Sequence, residues 1–349
     1  MAADSIFLTG ATGLVGGLLL RRMAEHNPKR TIYALTHRCH AITDLPNVRA
    51  VAGDITQARL GMPNDLYLEL CGSVDTIVHC AASTKFTLPL PAARQVNVLG
   101  TANVLQLARG ARRLKLLLHV SSTYIAGRRS GPLPETSVVD PAGWYSSYEQ
   151  SKFEAEQLLC EQGKGLPWVI ARLSTLVGDS RTGLISQYNY FHQLLRLVPR
   201  NLFPVIPGDP DAPVDVVADN WVAEALLGVL QGESPPGTVL HLCAGPSQSM
   251  PVREVVELAF DLHRRREPGS RAKAPSFVSL SEFQAYASGL RTRGEETRWR
   301  MAALLTLCLG RLEVHQPFLN CGTTASLAGW GITPLRTRDF LPRIMQSCL

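Results

Sequence analysis

An apolar run, Ser5–Thr9, leads straight into Gly10-Ala11-Thr12-Gly13-Leu14-Val15-Gly16, after which the pattern turns helical. That junction restricts the fold more than any other stretch of the chain. Glycine is needed where a backbone turns tightly and where it must approach a pyrophosphate closely. The helix N-terminus that follows offers free N–H groups and a favourable dipole to that anion. The spacing is Gly-x-x-Gly-x-x-Gly, not the commoner Gly-x-Gly-x-x-Gly, yet its place between a strand and a helix lifts it above coincidence. It predicts a dinucleotide cradle formed by Thr9, Gly10, Thr12, Gly13, Leu14, Val15 and Gly16.

Through the first half, apolar runs alternate with helical patterns, which predicts βαβ units and a parallel sheet covered on both faces. Strands are expected near Ser5–Thr9, Thr31–Thr36, Val48–Gly53, Thr76–Cys80, Lys115–Ser121, Trp168–Leu173 and Thr238–Cys243. Helices fall near Gly13–His26, Ala92–Arg109 and Tyr145–Cys160. After Leu173 the alternation weakens, and the proline-rich stretch from Pro199 to Pro213 reads as a long irregular connection. It leads to Asp215, expected to N-cap an amphipathic helix that presents Val217, Trp221, Val222, Ala225, Leu226 and Val229. From Met250 a mostly helical lobe follows, interrupted by a polar, arginine-rich stretch from His263 to Arg300. The fold class is therefore α/β: a doubly wound Rossmann-type sheet with a smaller helical lobe. The nucleotide domain is placed at 1–245, with a substrate-lobe insertion near 178–213, and the main substrate lobe at 246–349.

A chain of 349 residues, 45% hydrophobic, can bury a substantial core. It shows no basic-then-apolar leader and no apolar run long enough to span a membrane, so the expectation is a soluble, cytoplasmic protein. Its eight cysteines include no Cys-x-x-Cys pair, and His37-Arg38-Cys39-His40 offers too few ligands for a metal, so none is expected. A net charge of +6 suits an anionic ligand such as NADP, coenzyme A or an acidic carrier without choosing among them. Nucleic-acid binding has no motif behind it.

The chemistry is carried by Tyr148 and Lys152, four residues apart and so on one face of a helix. A phenol is a poor acid–base group at neutral pH, and a neighbouring ammonium is expected to pull its pKa toward the working range. Val120-Ser121-Ser122-Thr123-Tyr124 ends the fifth predicted strand, where ligands of open parallel sheets bind. A hydroxyl there can donate to a carbonyl oxygen that gains charge as hydride arrives. The end of the second strand decides the cofactor: an acidic side chain there would bind a ribose 2′-hydroxyl. The chain instead reads Thr36-His37-Arg38, with no carboxylate before Asp44, and Arg38 can meet a 2′-phosphate, so NADP(H) is favoured over NAD. Asp54 reads either as an adenine contact or as a plain turn residue.

Together these motifs resemble the extended short-chain dehydrogenase/reductase family over roughly residues 6–230. The resemblance assigns Gly10, Gly13 and Gly16 to the fingerprint and His79-Cys80-Ala81-Ala82-Ser83 to the strand-four segment. It also assigns Asn97 to the helix asparagine, and Ser122, Tyr148 and Lys152 to the catalytic triad. Ile55, Ala81, Ala82, Leu173 and Thr175 join the implied cofactor contacts. Gly178-Asp179-Ser180-Arg181-Thr182-Gly183 and Pro213-Val214-Asp215-Val216-Val217 look like the thioester-reductase and fatty acyl reductase branch, which reduces acyl thioesters with NADPH. Where relatives commonly carry Arg-Pro after the sixth strand, this chain has Arg172-Leu173. Three functions stay open. One is reduction of a coenzyme A- or carrier-bound acyl thioester to aldehyde or alcohol, aided by an arginine-rich surface (Arg264, Arg265, Arg266, Arg271, Arg291, Arg293). Another is ketone or aldehyde reduction, or secondary-alcohol oxidation, on a polyketide, steroid-like or sugar scaffold. The third is a non-catalytic nucleotide sensor. Family members often dimerise through the helices carrying Asn97 and Tyr148, so a homodimer is a further expectation.

Overall fold

The computed structural model describes residues 5–37, 44–136, 138, 142–200 and 202–349. The first half delivers the alternation read from the sequence: β1 (Ser5–Thr9), α1 (Leu14–His26), β2 (Thr31–Thr36), β3 (Val48–Ala52), α2 (Asn64–Ser73) and β4 (Val74–His79). Then come α3 (Leu90–Arg94), a π-helical turn at Gln95–Leu99, α4 (Gly100–Gly110), β5 (Leu116–Ser122), α5 (Ser147–Gln162) and β6 (Trp168–Leu173). The predicted single helix over Ala92–Arg109 is thus three segments joined through a widened turn, and Asn97 sits in that turn.

The later elements are β7 (Thr175–Leu176), α6 (Tyr190–Leu197), β8 (Val205–Pro207), β9 (Pro213–Val214), β10 (Val216–Val217), α7 (Asp219–Gln231) and β11 (Thr238–Leu242). β12 (Met250–Pro251), α8 (Val252–Arg266), β13 (Ser276–Val278), α9 (Leu280–Thr292), α10 (Glu296–Leu309), α11 (Cys321–Gly329) and α12 (Thr337–Cys348) complete the order. The central sheet runs β11-β6-β5-β4-β1-β2-β3, and every pairing in it is parallel. Strand order reverses between β1 and β4, which opens a crevice at the carboxyl ends of those strands.

Alternation along β1 shows why both faces are covered. Ile6 and Leu8 point into a core shared with α1, α7, α8 and α12, whereas Phe7 points into a second core with α2, α4 and α5. Carboxyl-terminal helices therefore help to bury the nucleotide sheet: Phe340, Leu341, Ile344 and Met345 of α12 share a core with Leu19 and Leu20 of α1.

Two expectations are corrected. Asp215 does not cap α7, because Val216 and Val217 stay extended to pair with Thr175 and Leu176; the helix starts at Asp219 with Ala218 in the cap position. The arginine-rich stretch is itself largely helical, broken chiefly between Arg266 and Leu280, where β13 lies. α8 continues to Arg266, α9 begins with a capping box between Ser279 and Glu282, and α10 starts at Glu296. Arginines fit there because they lie on outer faces and pair along the helix, as Arg300 does with Glu296 at 2.9 Å. The proline-rich connection also contributes a strand, β8, which pairs with β13. Among the described residues, no helix is long and apolar enough to cross a membrane.

Candidate active site

The glycine turn is packed too closely for side chains at two points. Gly10 has φ +76°, and a Cβ there would stand 2.6 Å from the Ala81 nitrogen; at Gly16 it would stand 2.2 Å from the Gly10 carbonyl oxygen. α1 begins at Leu14 with Gly13 in the cap position and no side-chain cap, so its first N–H groups are left to face the crevice. Thr9 does not reach the crevice. Its hydroxyl accepts from the Ala81 N–H at 3.2 Å and donates to His79 Nδ1 at 2.8 Å, while His79 Nε2 lies 3.1 Å from the Thr101 hydroxyl. This chain of bonds fixes the end of β4 against β1, with burial holding His79 neutral down to about pH 3.

The crevice opens into one cavity of about 820 Å³. Its nucleotide end is lined by Gly10, Gly13, Leu14, Val15, Gly16, Ala82, Leu173 and Thr175, and Ser122, Tyr148 and Lys152 meet at its middle. Its far arm is aliphatic: Leu194, Leu195, Ile206, Val252, Val255, Val256, Ala259, Leu309 and Leu312 come from α6, β8, α8, α10 and the turn after α10. Thr12, Asp54, Ile55, Ala81 and Asn97 are not on its wall. Asp54 closes a turn by accepting from the Thr56 N–H and hydroxyl, both at 2.8 Å. Asn97 is buried and acts as a clasp, accepting from the Ser83 N–H at 2.7 Å and donating to the Ser83 carbonyl and the Ser151 hydroxyl. Arg38 lies outside the described residues, as do Cys39 and His40.

Three hydroxyls end β5, and their partners separate them. Ser121 donates to the buried Glu156 carboxylate, and Thr123 is fully buried, 3.5 Å from the Leu173 carbonyl. Ser122 accepts from the Tyr124 N–H at 3.2 Å and hydrogen-bonds the Tyr148 phenol. Of the three, Ser122 is paired with the tyrosine.

Lys152 is buried, and its ammonium donates to the Val120 carbonyl at 2.8 Å. Burial pulls it down to about 8, opposed by the nearby Glu156 carboxylate. Burial pushes the Tyr148 phenol up to about 12, with the Ser122 hydrogen bond and Arg311 acting against the rise. The expectation that Lys152 would make this tyrosine more acidic is therefore corrected. The ammonium is turned to a backbone carbonyl, and desolvation of the phenol dominates.

Asp215 and Arg172 hold the floor. Asp215 accepts from the Ala244 and Gly245 N–H groups at 2.9 and 2.8 Å, tying β9–β10 to the end of β11. Arg172 is fully buried and paired with Glu156 at 2.8 Å, and it also meets the Pro134 carbonyl and His241. Such a pair is retained only with every donor matched. The Gly178–Gly183 segment is a turn built on Asp179, which accepts from the N–H groups of Arg181 and Thr182; it lies away from the cavity wall.

Sequence reasoning missed the residues that surround the phenol. Phe86 stacks on Tyr148 at 5.5 Å and on Tyr190 at 4.6 Å. Arg311 pairs with Glu149 and lies 3.6 Å over the Tyr124 ring, whose hydroxyl is 2.7 Å from that of Thr175. No local spacing announces these contacts, because each joins segments distant in the chain.

The family model described as male sterility protein, an NAD-binding family, matches residues 8–226. An isonitrile lipopeptide synthase of Streptomyces coeruleorubidus is 27% identical across 99% of this chain and 24% of its own length. A glycine betaine reductase of Emericella nidulans is 26% identical across 73% of this chain and 22% of its own. The chain thus spans about a quarter of these curated relatives. The crystal structure of the terminal R domain from the myxalamid PKS-NRPS pathway superposes with a TM-score of 0.78 at 25% identity, covering 99% of this chain and 90% of that one.

Proposed function

The chain belongs to the male sterility protein family, the thioester-reductase-like branch of the extended short-chain dehydrogenase/reductases and thus NAD(P)-dependent oxidoreductases; on that footing we propose that it reduces an acyl thioester with NADPH. The observation that carries this reading is the single cavity that joins a glycine cradle to an aliphatic arm, with Ser122, Tyr148 and Lys152 between them. The names of its relatives, a lipopeptide synthase and the R domain of a PKS-NRPS pathway, support an acyl group carried on a protein, for which an acyl-coenzyme A is the small-molecule counterpart.

The cradle fits a dinucleotide, because the space that side chains would fill at Gly10 and Gly16 is left to backbone and the uncapped start of α1 faces it. Gly10, Gly13, Leu14, Val15 and Gly16 would hold the pyrophosphate side, and Leu173 and Thr175 the nicotinamide side. Ala81 and Ala82 would follow β4 beside it, with Thr9 bracing that strand and Asn97 fixing the loop. Asp54 and Ile55 would flank the adenine. Arg38, with no carboxylate before Asp44, supports a 2′-phosphate and hence NADPH. The bound cofactor supplies a hydride to the acyl carbon.

The chain's own residues handle the oxygen. Ser122 and Tyr148 donate hydrogen bonds to it as charge grows there, and a phenol held near 12 stays protonated at neutral pH, as a proton donor must. Lys152, anchored on the Val120 carbonyl, would hold the ribose of the bound cofactor with its remaining N–H groups. The aliphatic arm takes the acyl chain and excludes water. Collapse of the resulting hemithioacetal releases the thiol and leaves an aldehyde.

With octanoyl-coenzyme A, loss of NADPH absorbance should be matched by free thiol in equal or half-equal amount, with NADH oxidised far more slowly. NADPH consumption without thiol release, across acyl chains from acetyl to palmitoyl, would sink the reading in favour of ketone or aldehyde reduction.

A further inference from the structure

We propose that Arg311, supplied by the carboxyl-terminal lobe, is a positioning residue for the proton donor: it holds the first turn of α5 through Glu149 and covers Tyr124, so that the lobe that receives the acyl chain also seats Tyr148. The inference rests on Tyr148 being the donor proposed above.

Glu149 follows Tyr148 and is completely buried, with two partners. One is the Tyr145 N–H, at 2.9 Å, which closes the start of α5; the other is Arg311. The guanidinium is stacked 3.6 Å from the centre of Tyr124 and 5.7 Å from that of Tyr145. Tyr124 in turn carries the hydrogen bond to Thr175 and packs edge-on against Phe86, which stacks on Tyr148. One side chain from the turn after α10 therefore touches both supports of the phenol, the helix that bears it and the aromatic wall beside it. Arg311 also lines the cavity next to Leu309 and Leu312, the lobe's contribution to the aliphatic arm.

The charged and titratable groups around the phenol act in opposite directions. Tyr124 and Glu149 oppose its ionisation, and the Ser122 hydrogen bond and Arg311 favour it, against the larger effect of burial. Glu149, Tyr124 and Tyr145 keep Arg311 charged despite its burial. Arg311 and Glu149 thus act on the phenol with opposite signs of charge while together they fix the start of its helix.

The test uses the full-length chain labelled with ring-carbon-13 tyrosine at neutral pH, the Tyr148 signal being identified by its loss in Y148F. R311M should move that signal and lower turnover of octanoyl-coenzyme A by about tenfold while binding NADPH within about twofold of the wild type, and R311K, which keeps a cation for Glu149, should recover most of the turnover. The double variant E149Q/R311M contains no buried unpaired carboxylate and so guards against a folding failure. It should bind NADPH within about twofold of the wild type and lose about fivefold or more in turnover. A Tyr148 signal unchanged in R311M, or a double variant with full turnover, would overturn the proposal. If the wild type releases no thiol from any acyl-coenzyme A, the thioester reading fails, and the Tyr148 signal still decides the role of Arg311.

Discussion

The two ends of the cavity are built by opposite means. At the nucleotide end the wall is largely backbone, and specificity comes from where side chains are forbidden, as at Gly10 and Gly16. In the arm the wall is made of branched and aliphatic side chains delivered by α6, β8, α8, α10 and the turn after it, with no shared motif. The first end binds a ligand common to many proteins and tolerates almost no variation. The second can be resized one methyl group at a time, which is how one scaffold can serve substrates of different size.

The sharpest way to break this division is at the junction between the two ends. Tyr148→Phe should lower turnover by roughly 10²–10⁴-fold while leaving NADPH affinity nearly intact. Comparison of single-turnover rates with NADPH fluorescence titrations checks it, and unchanged turnover would remove Tyr148 from the mechanism. A change confined to the arm should be smaller and selective. Ala259→Phe, at a buried cavity position, should reduce kcat/KM for dodecanoyl-coenzyme A by roughly 10–100-fold relative to acetyl-coenzyme A. Equal losses on both substrates would mean that the arm does not hold the chain. The mildest probe is pH. Burial lowers the Lys152 ammonium to about 8, so its positive form is complete below that value and lost above it. Because Tyr148 stays protonated throughout, the reductive rate should be level up to about pH 8 and fall by about tenfold per unit beyond it. A rate level to about pH 10 would show that this charge is not required.

The same contrast explains what could be read from the residues alone. The cradle, the end of β5 and the Tyr148–Lys152 spacing are local patterns, each fixed by the period of one strand or helix, and the structure brings Ser122, Tyr148 and Lys152 to one cavity. Asp215 illustrates the limit. Its residue type suits an N-cap, but a two-residue strand pairing overrides that preference, and its carboxylate serves backbone N–H groups after β11 instead. The acidity of Tyr148 shows another limit, since helical spacing sets which side chains share a face but not how much water reaches them. Arg311 and Phe86 were out of reach for a third reason: their importance lies in contacts such as that between Arg311 and Glu149, across 162 positions.

The widened turn at Gln95–Leu99 works as a phase shifter. It carries more residues per turn than α3 and α4 on either side, so their inward faces fall out of step along what looks like one amphipathic segment. Losing a single residue there would do more than shorten the helix. It would rotate Asn97 away from Ser83 and Ser151 and release the loop that carries Phe86 to the tyrosine, which makes this stretch intolerant of length variation even though no part of it touches the cavity.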